Sequence, residues 1–178
     1  FFDVLAYPGT GSAGTFNHNL KAEPELMIVK ARSREDDWNV YSKPTGNSAY
    51  FRLNKTEAIN NNVALWNNTT PTSSVFSLAG DGYGVNNSGH TFVALLFASL
   101  NGISKVSTYT GTGSNVDVDC GFTAGARFVV IKRTDSTGDW YVFDSSRGIV
   151  SGNDPYWLFS TSATDATNTD YIDPLNSG

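Results

Sequence analysis

The hydrophobic pattern has a period of two and comes in short stretches. Asp3–Tyr7 alternates apolar and polar residues until Pro8-Gly9-Thr10-Gly11 interrupts it, which predicts a half-buried strand ending in a turn. Leu26–Val29 is apolar on both faces and predicts a strand covered on both sides. Arg32–Asp37 is polar and acidic, hence a loop, and Trp38–Tyr41 predicts the returning strand of a hairpin. Lys43–Asn47 is a turn cluster, followed by a strand over Ala49–Leu53. Ser74–Leu78 and Thr91–Phe97 are further strand-like runs. Phe128–Arg133, the loop Thr134–Asp139 and Trp140–Phe143 repeat the earlier hairpin. The one helix-like stretch, Lys55–Leu65, contains Asn60-Asn61-Asn62, and Asn favours turns over helix interiors, so it predicts a turn or two at most. Turn signals every 8–12 residues or so are the spacing of sandwiches and barrels. The expected fold is all-β: an antiparallel β-sandwich or barrel-like assembly of about ten to thirteen strands with little helix.

Self-similarity organises these elements. Shifted by 102 positions, the sequence matches itself without a gap, with 10 identities in the 35 positions from Tyr7 to Tyr41. Tyr7-Pro-Gly-Thr-Gly-Ser12 falls on Tyr109-Thr-Gly-Thr-Gly-Ser114, Leu26–Lys30 on Phe128–Lys132, and Asp37-Trp38-Asn-Val40 on Asp139-Trp140-Tyr-Val142. A weaker match sets Tyr50–Leu53 on Tyr156–Phe159 after a small insertion. The physical reading is one supersecondary unit used twice, residues 1–102 and 103–178, the two sharing one core. The second unit reaches Gly178 before counterparts of Ser74–Leu78 and Thr91–Phe97 occur. With no initiator Met, this predicts a piece of a longer or processed polypeptide. The closing strands would then lie beyond the sequence, have been removed, or come from a neighbouring subunit.

Composition narrows the function classes. Charged residues are only 16% of the chain, and Ser, Thr, Asn and Gly supply the polarity. A net charge of −5 without any Lys/Arg-rich run argues against a nucleic-acid partner. Cys120 stands alone and His18 and His90 lie far apart, so neither an intrachain disulfide nor a zinc site is expected. No stretch has the roughly 18 apolar residues of a membrane span. Phe1–Leu5 lacks the basic n-region of a signal peptide.

Several side chains invite a chemical role. Trp38 and Trp140 hold equivalent places in the two units and read as core anchors rather than sugar-stacking platforms. Lys30 with Asp37, and Lys132 with Asp139, predict a cross-strand ion pair made twice. Asn115, Asp117 and Asp119 fall on one strand face, but their first-unit equivalents Ala13, Thr15 and Asn17 lack carboxylates. A solvated face is preferred to calcium there, as is a plain hairpin loop for Asp135–Asp139. Glu23, Glu25, Glu35 and Glu57 form no pattern recommending glycosidase chemistry, and neither a nucleophile elbow nor a phosphate loop occurs. No catalytic residue, metal or cofactor is expected. The loops are the better surface. Trp66, Asn67 and Asn68 in one, and Tyr83, Asn86 and Asn87 in another, combine ring faces with amides, the chemistry that grips carbohydrate.

Phe2–Ser12, His18-Asn-Leu20, Pro24–Arg32, Trp38–Tyr41, Trp66–Phe76 and Ile131–Tyr141 together resemble an uncharacterised domain of marine bacteriophage tail-fibre and virion-appendage proteins, often encoded beside a concanavalin-A-like lectin domain. The resemblance covers almost the whole chain. It implies an extracellular place on a virion, other appendage subunits as partners (a homo-oligomer, a trimer by analogy), and host-surface glycan adhesion or fibre spacing without catalysis. The competing expectations are a secreted bacterial carbohydrate-binding or adhesin module and, less favoured, a glycan depolymerase.

Overall fold

Thr91–Phe97, uncharged and seven residues long, needs partners on both edges, and it finds them. The computed structural model, which describes residues 1–178, contains eleven strands and one 3₁₀ turn at Lys43–Thr45. The strands are β1 (Phe2–Pro8), β2 (Gly14–Asn17), β3 (Leu26–Ala31), β4 (Asn39–Ser42), β5 (Ala49–Arg52), β6 (Asn60–Asn61), β7 (Val75–Leu78), β8 (Thr91–Phe97), β9 (Phe128–Lys132), β10 (Trp140–Asp144) and β11 (Trp157–Leu158). All pairings between them are antiparallel. The Lys55–Leu65 stretch is not helical: it contributes β6 and then turns.

The chain divides into two compact units, Phe1–Leu53 with Ile59–Ser99, and Asn54–Ala58 with Leu100–Gly178. In the first, a six-stranded sheet runs β1-β8-β3-β4-β5-β6, and β2 and β7 form a separate two-stranded ribbon. β8 lies between β1 and β3 in one register: Phe92 is opposite Tyr7 and Ala31, Ala94 opposite Leu5 and Val29, Leu96 opposite Asp3 and Met27. The period of two therefore sends Phe92, Ala94, Leu96, Met27, Val29, Ala31 and Tyr7 to one face, where all are buried. Phe76 and Leu78 of the ribbon, with Leu65, Trp66 and Val85 from the loops, close that core. Its centre is aromatic: Tyr7 stacks on Phe92 with centroids 5.4 Å apart and packs on Phe16 at 4.5 Å, and Phe16 stacks on Phe76 at 5.7 Å. The Tyr7 hydroxyl donates to the Val85 carbonyl at 2.7 Å, so the buried ring leaves no polar group stranded.

The second unit holds a three-stranded sheet, β11-β10-β9. Its ladder repeats that of β3, β4 and β5. Leu26 pairs with Ser42 and Phe128 with Asp144, in each case 102 positions on. Val40 pairs with Phe51 and Val142 with Trp157, as Asn39 does with Arg52 and Tyr141 with Leu158. Burial differs. Met27 and Val29 of β3 are fully buried, whereas β9 is an edge strand on which Phe128 is 58% exposed. Ser104–Thr110, 102 positions from β1, forms no strand beyond the isolated bridge at Ser104.

Two outcomes follow for stability. Phe92→Ala removes a ring from a closed core and should cost about 3–5 kcal/mol in denaturant unfolding, whereas Val130→Ala on the β9 edge should stay within roughly 0.5 kcal/mol. Burial also raises the Tyr7 hydroxyl far above its ordinary range, and burial with the nearby Glu23 charge pushes Tyr41 up to about 12. A tyrosine whose folded pKa is raised favours the folded state fully below its unfolded value and loses that contribution as pH climbs towards the folded one. Unfolding free energy should therefore fall from about pH 10 upward, and less steeply in Tyr7→Phe, as read by denaturant titrations at successive pH values.

Candidate functional site

The loops at the Pro8–Thr91–Ala31 end of the first sheet are built into one platform. Gly9-Thr10-Gly11-Ser12 lies against the segment Gly80–His90. Gly9 N donates to His90 O at 2.8 Å, Gly11 N to Asn86 O at 2.9 Å, and Asp81 N to Gly11 O at 3.1 Å. Asn86 is fully buried, and both polar atoms of its side chain are engaged. Its Oδ1 accepts from Thr10 N at 2.8 Å, and its Nδ2 donates to Ser12 O at 2.8 Å, Ala79 O at 3.0 Å and Thr10 Oγ1 at 3.0 Å. Gly9 is required by the close approach, since a Cβ there would collide with the Asn87 carbonyl. The third loop joins through Ser33, whose hydroxyl accepts from Thr91 N at 3.0 Å and lies 3.2 Å from His90 Nδ1.

On this base the segment 81–83 faces outward. Tyr83 is 38% exposed, and the next residue, Gly84, with φ +72°, packs on the Asp36 carboxylate, which pairs with Arg34 at 2.6 Å. Asp81 accepts from Ser88 N at 2.7 Å and Asn87 Oδ1 from Gly84 N at 3.1 Å. The platform thus offers one ring face, hydroxyls, an amide and a carboxylate on a backbone already fixed by hydrogen bonds.

The predicted site residues separate. Tyr83 and Asn87 remain at the surface, but Asn86 is a buried tie inside the loop. Trp66 must also be reassigned. It is fully buried, its Nε1 donates to Ala49 O at 2.9 Å, and its ring meets Tyr41 edge-on at 5.7 Å, so no sugar can stack on it. Asn67 and Asn68 are exposed, both with positive φ (51° and 46°), which is the turn role that Asn tolerates. This turn is tied to Ala49 and Ser48, away from the Pro8–Thr91–Ala31 anchors, and does not extend the platform.

The repeat anchors also differ from expectation in part. Trp140 is buried and Trp38 half-buried. The Lys–Asp pairs are replaced. Lys132 sits directly opposite Trp140, and Asp139 lies just before β10 begins. Lys132 Nζ donates instead to Gly138 O at 2.7 Å and Thr56 O at 3.2 Å, and Asp139 accepts from Ser160 Oγ at 2.8 Å. Burial lowers the Lys132 pKa, against the opposing charges of Asp139 and Glu57. In the first unit Lys30 Nζ donates to Ala31 O, and Asp37 pairs with Arg52 at 3.2 Å. Asn115–Asp119 forms no strand, so the expected shared face is not built.

Sequence reasoning passed over a second surface. In the second unit, a cleft of about 270 Å³ is lined by Tyr109, Ile131, Tyr141, Phe143, Tyr171 and Ile172. Tyr141, Tyr156 and Tyr171 form a cluster with centroids 5.2–5.8 Å apart. The available signal was the offset itself, since Ile131 and Phe143 correspond to the buried Val29 and Tyr41.

The fold and loops define an all-β module with antiparallel sheets and a preformed polar and aromatic loop platform. The chain belongs to the family described as a domain of unknown function (DUF7483), whose family model matches residues 1–178. No curated protein and no solved structure matches it significantly. No helix is long and apolar enough to cross a membrane.

Asn86→Ala would strip partners from Thr10 N, Ser12 O and Ala79 O together. It should cost at least about 2 kcal/mol and accelerate hydrogen exchange at the Thr10 amide, measured by denaturant unfolding and NMR.

Proposed function

We propose that this chain is a non-catalytic structural and recognition module of a virion appendage such as a phage tail fibre, and that it holds a neutral glycan of the host surface at the platform around Tyr83. The observation that carries the reading is the exposed Tyr83 ring on a loop whose backbone is locked through Asn86. An exposed ring face covers the C–H surface of a sugar, and neighbouring amides, hydroxyls and carboxylates take its hydroxyl groups. A backbone fixed before binding spares the ordering cost that weakens recognition by flexible loops. The scarcity of charge suits a neutral ligand better than a polyanion. The virion setting rests on the sequence resemblance, with neighbouring appendage subunits as partners and an extracellular location.

A glycan array with the 178-residue chain, followed by titration of the best ligand, tests this. Tyr83→Ala should weaken binding at least about tenfold while leaving the unfolding midpoint unchanged, and Asn87→Ala should weaken it less. Binding indifferent to Tyr83→Ala, or turnover of the bound glycan, would remove the proposal. Immunolabelling of intact virions checks the location separately.

A further inference from the structure

We propose that the outer edge of β9 and the tyrosine-lined cleft beneath it form an acceptor site for an extended strand of a second polypeptide, one with the chemistry of β8. The first unit supplies the template. β3 has the same ladder to β4 and β5 that β9 has to β10 and β11, and its other edge is occupied by β8 over the pairs Leu26–Phe97 to Ala31–Phe92. The corresponding edge of β9 lies at the limit of its sheet. It exposes backbone hydrogen-bonding groups and the apolar side chains Phe128 (58%) and Val130 (38%).

The cleft matches the same strand. In the first unit the inward residues of β8, Phe92, Ala94 and Leu96, lie opposite Ala31, Val29 and Met27 and are completely buried. The corresponding positions of the second unit are Arg133, Ile131 and Val129, and Ile131 lines the cleft with Phe143 and Tyr109. Tyr109 occupies the place of Tyr7, whose ring is stacked by Phe92, yet it is 51% exposed. An incoming strand thus meets a ladder edge for its backbone, a cleft for alternate apolar side chains and a tyrosine face for an aromatic one. Thr91–Phe97 is uncharged, and the two cations at the end of the acceptor edge keep partners of their own, Lys132 with Gly138 O and Thr56 O and Arg133 with Asp135, so an incoming strand strands no charge.

The occupant is not the β8 strand of another copy. Its own β8 is already paired on both edges, and withdrawing it would strip β1 and β3. Two β9 edges paired together would leave each cleft unfilled. A partner with a spare strand, uncharged and apolar at alternate positions, meets all three features.

The probe is a synthetic peptide of Gly89–Ser99 with terminal lysines for solubility, titrated into the 178-residue chain and followed by fluorescence anisotropy and hydrogen exchange. Expected are saturable binding and protection of the Phe128–Lys132 amides. The Leu95→Pro peptide, which lacks a donor on the edge that β8 turns to β3, should bind at least about tenfold more weakly. A chain carrying Val130→Asp, checked for an unchanged circular dichroism spectrum, should lose peptide binding to a similar extent. Absence of binding, binding without protection of β9, or concentration-dependent self-association abolished by Val130→Asp would each overturn the proposal. None of these outcomes depends on glycan binding at Tyr83.

Discussion

A strand in the middle of a sheet must satisfy its amides and carbonyls on both edges, and an uncharged one must also find cover for its side chains. In this molecule β8 meets both demands, pairing with β1 and β3 in a single register. That register places Tyr7 beside Phe92 and joins the sheet to the β2–β7 ribbon through Phe16 and Phe76. The platform depends on the same arrangement. Gly9, Ser33 and His90 sit where β1, β3 and β8 emerge together, and hydrogen bonds tie those three exits to one another. Slipping β8 by one residue would turn Phe92 outward and detach Gly9 from His90.

Much of this arrangement is legible in the residue pattern. The run Thr91–Phe97 matches β8 end to end, and the offset of 102 carries the β3–β4 ladder onto β9–β10 residue by residue, with β5 carried onto β11 after the small insertion. Alternation reports which residues share a face, and turn residues report where a face ends. Neither reports which loop aromatic is inserted and which is presented. Trp66 and Tyr83 both stand among Asn, Gly and Thr, yet the Trp66 indole nitrogen reaches Ala49 O inside the core and Tyr83 faces outward. The separating signal is tertiary: whether a carbonyl awaits the ring's polar atom, as Ala49 O does. Asn86 teaches the same point for amides, since its neighbour Asn87 has the same composition around it yet is half-buried where Asn86 is fully buried. The Lys–Asp expectation failed for a more elementary reason. The Lys132 ammonium is taken by two backbone carbonyls, Gly138 O and Thr56 O, and the Asp139 carboxylate by the Ser160 hydroxyl.

The two units set out how much of a strand's burial belongs to its sequence. Leu26–Lys30 and Phe128–Lys132 are similarly apolar and are paired to their return strands in the same register. One is enclosed and the other lies on an edge with the Phe128 ring and Val130 exposed. Phe128–Lys132 is the richer of the two in β-branched and aromatic residues, so its lesser burial does not come from strand preference but from the missing third partner. In β3 that partner is β8, which brings both a hydrogen-bonding edge and three inward side chains. The second unit keeps its own three strands ordered through other means. Lys132 ties Gly138 O to Thr56 O, and Arg147 bridges Asp144 and Asp165. These polar ties hold a hairpin whose apolar edge is open to solvent. An edge with that character is either a liability for aggregation or a place where another strand is received. The aromatic cleft beneath β9 distinguishes the two, because unspecific edge pairing needs only backbone groups, whereas Tyr109, Ile131 and Phe143 form a concave apolar surface that side chains of an incoming strand can fill.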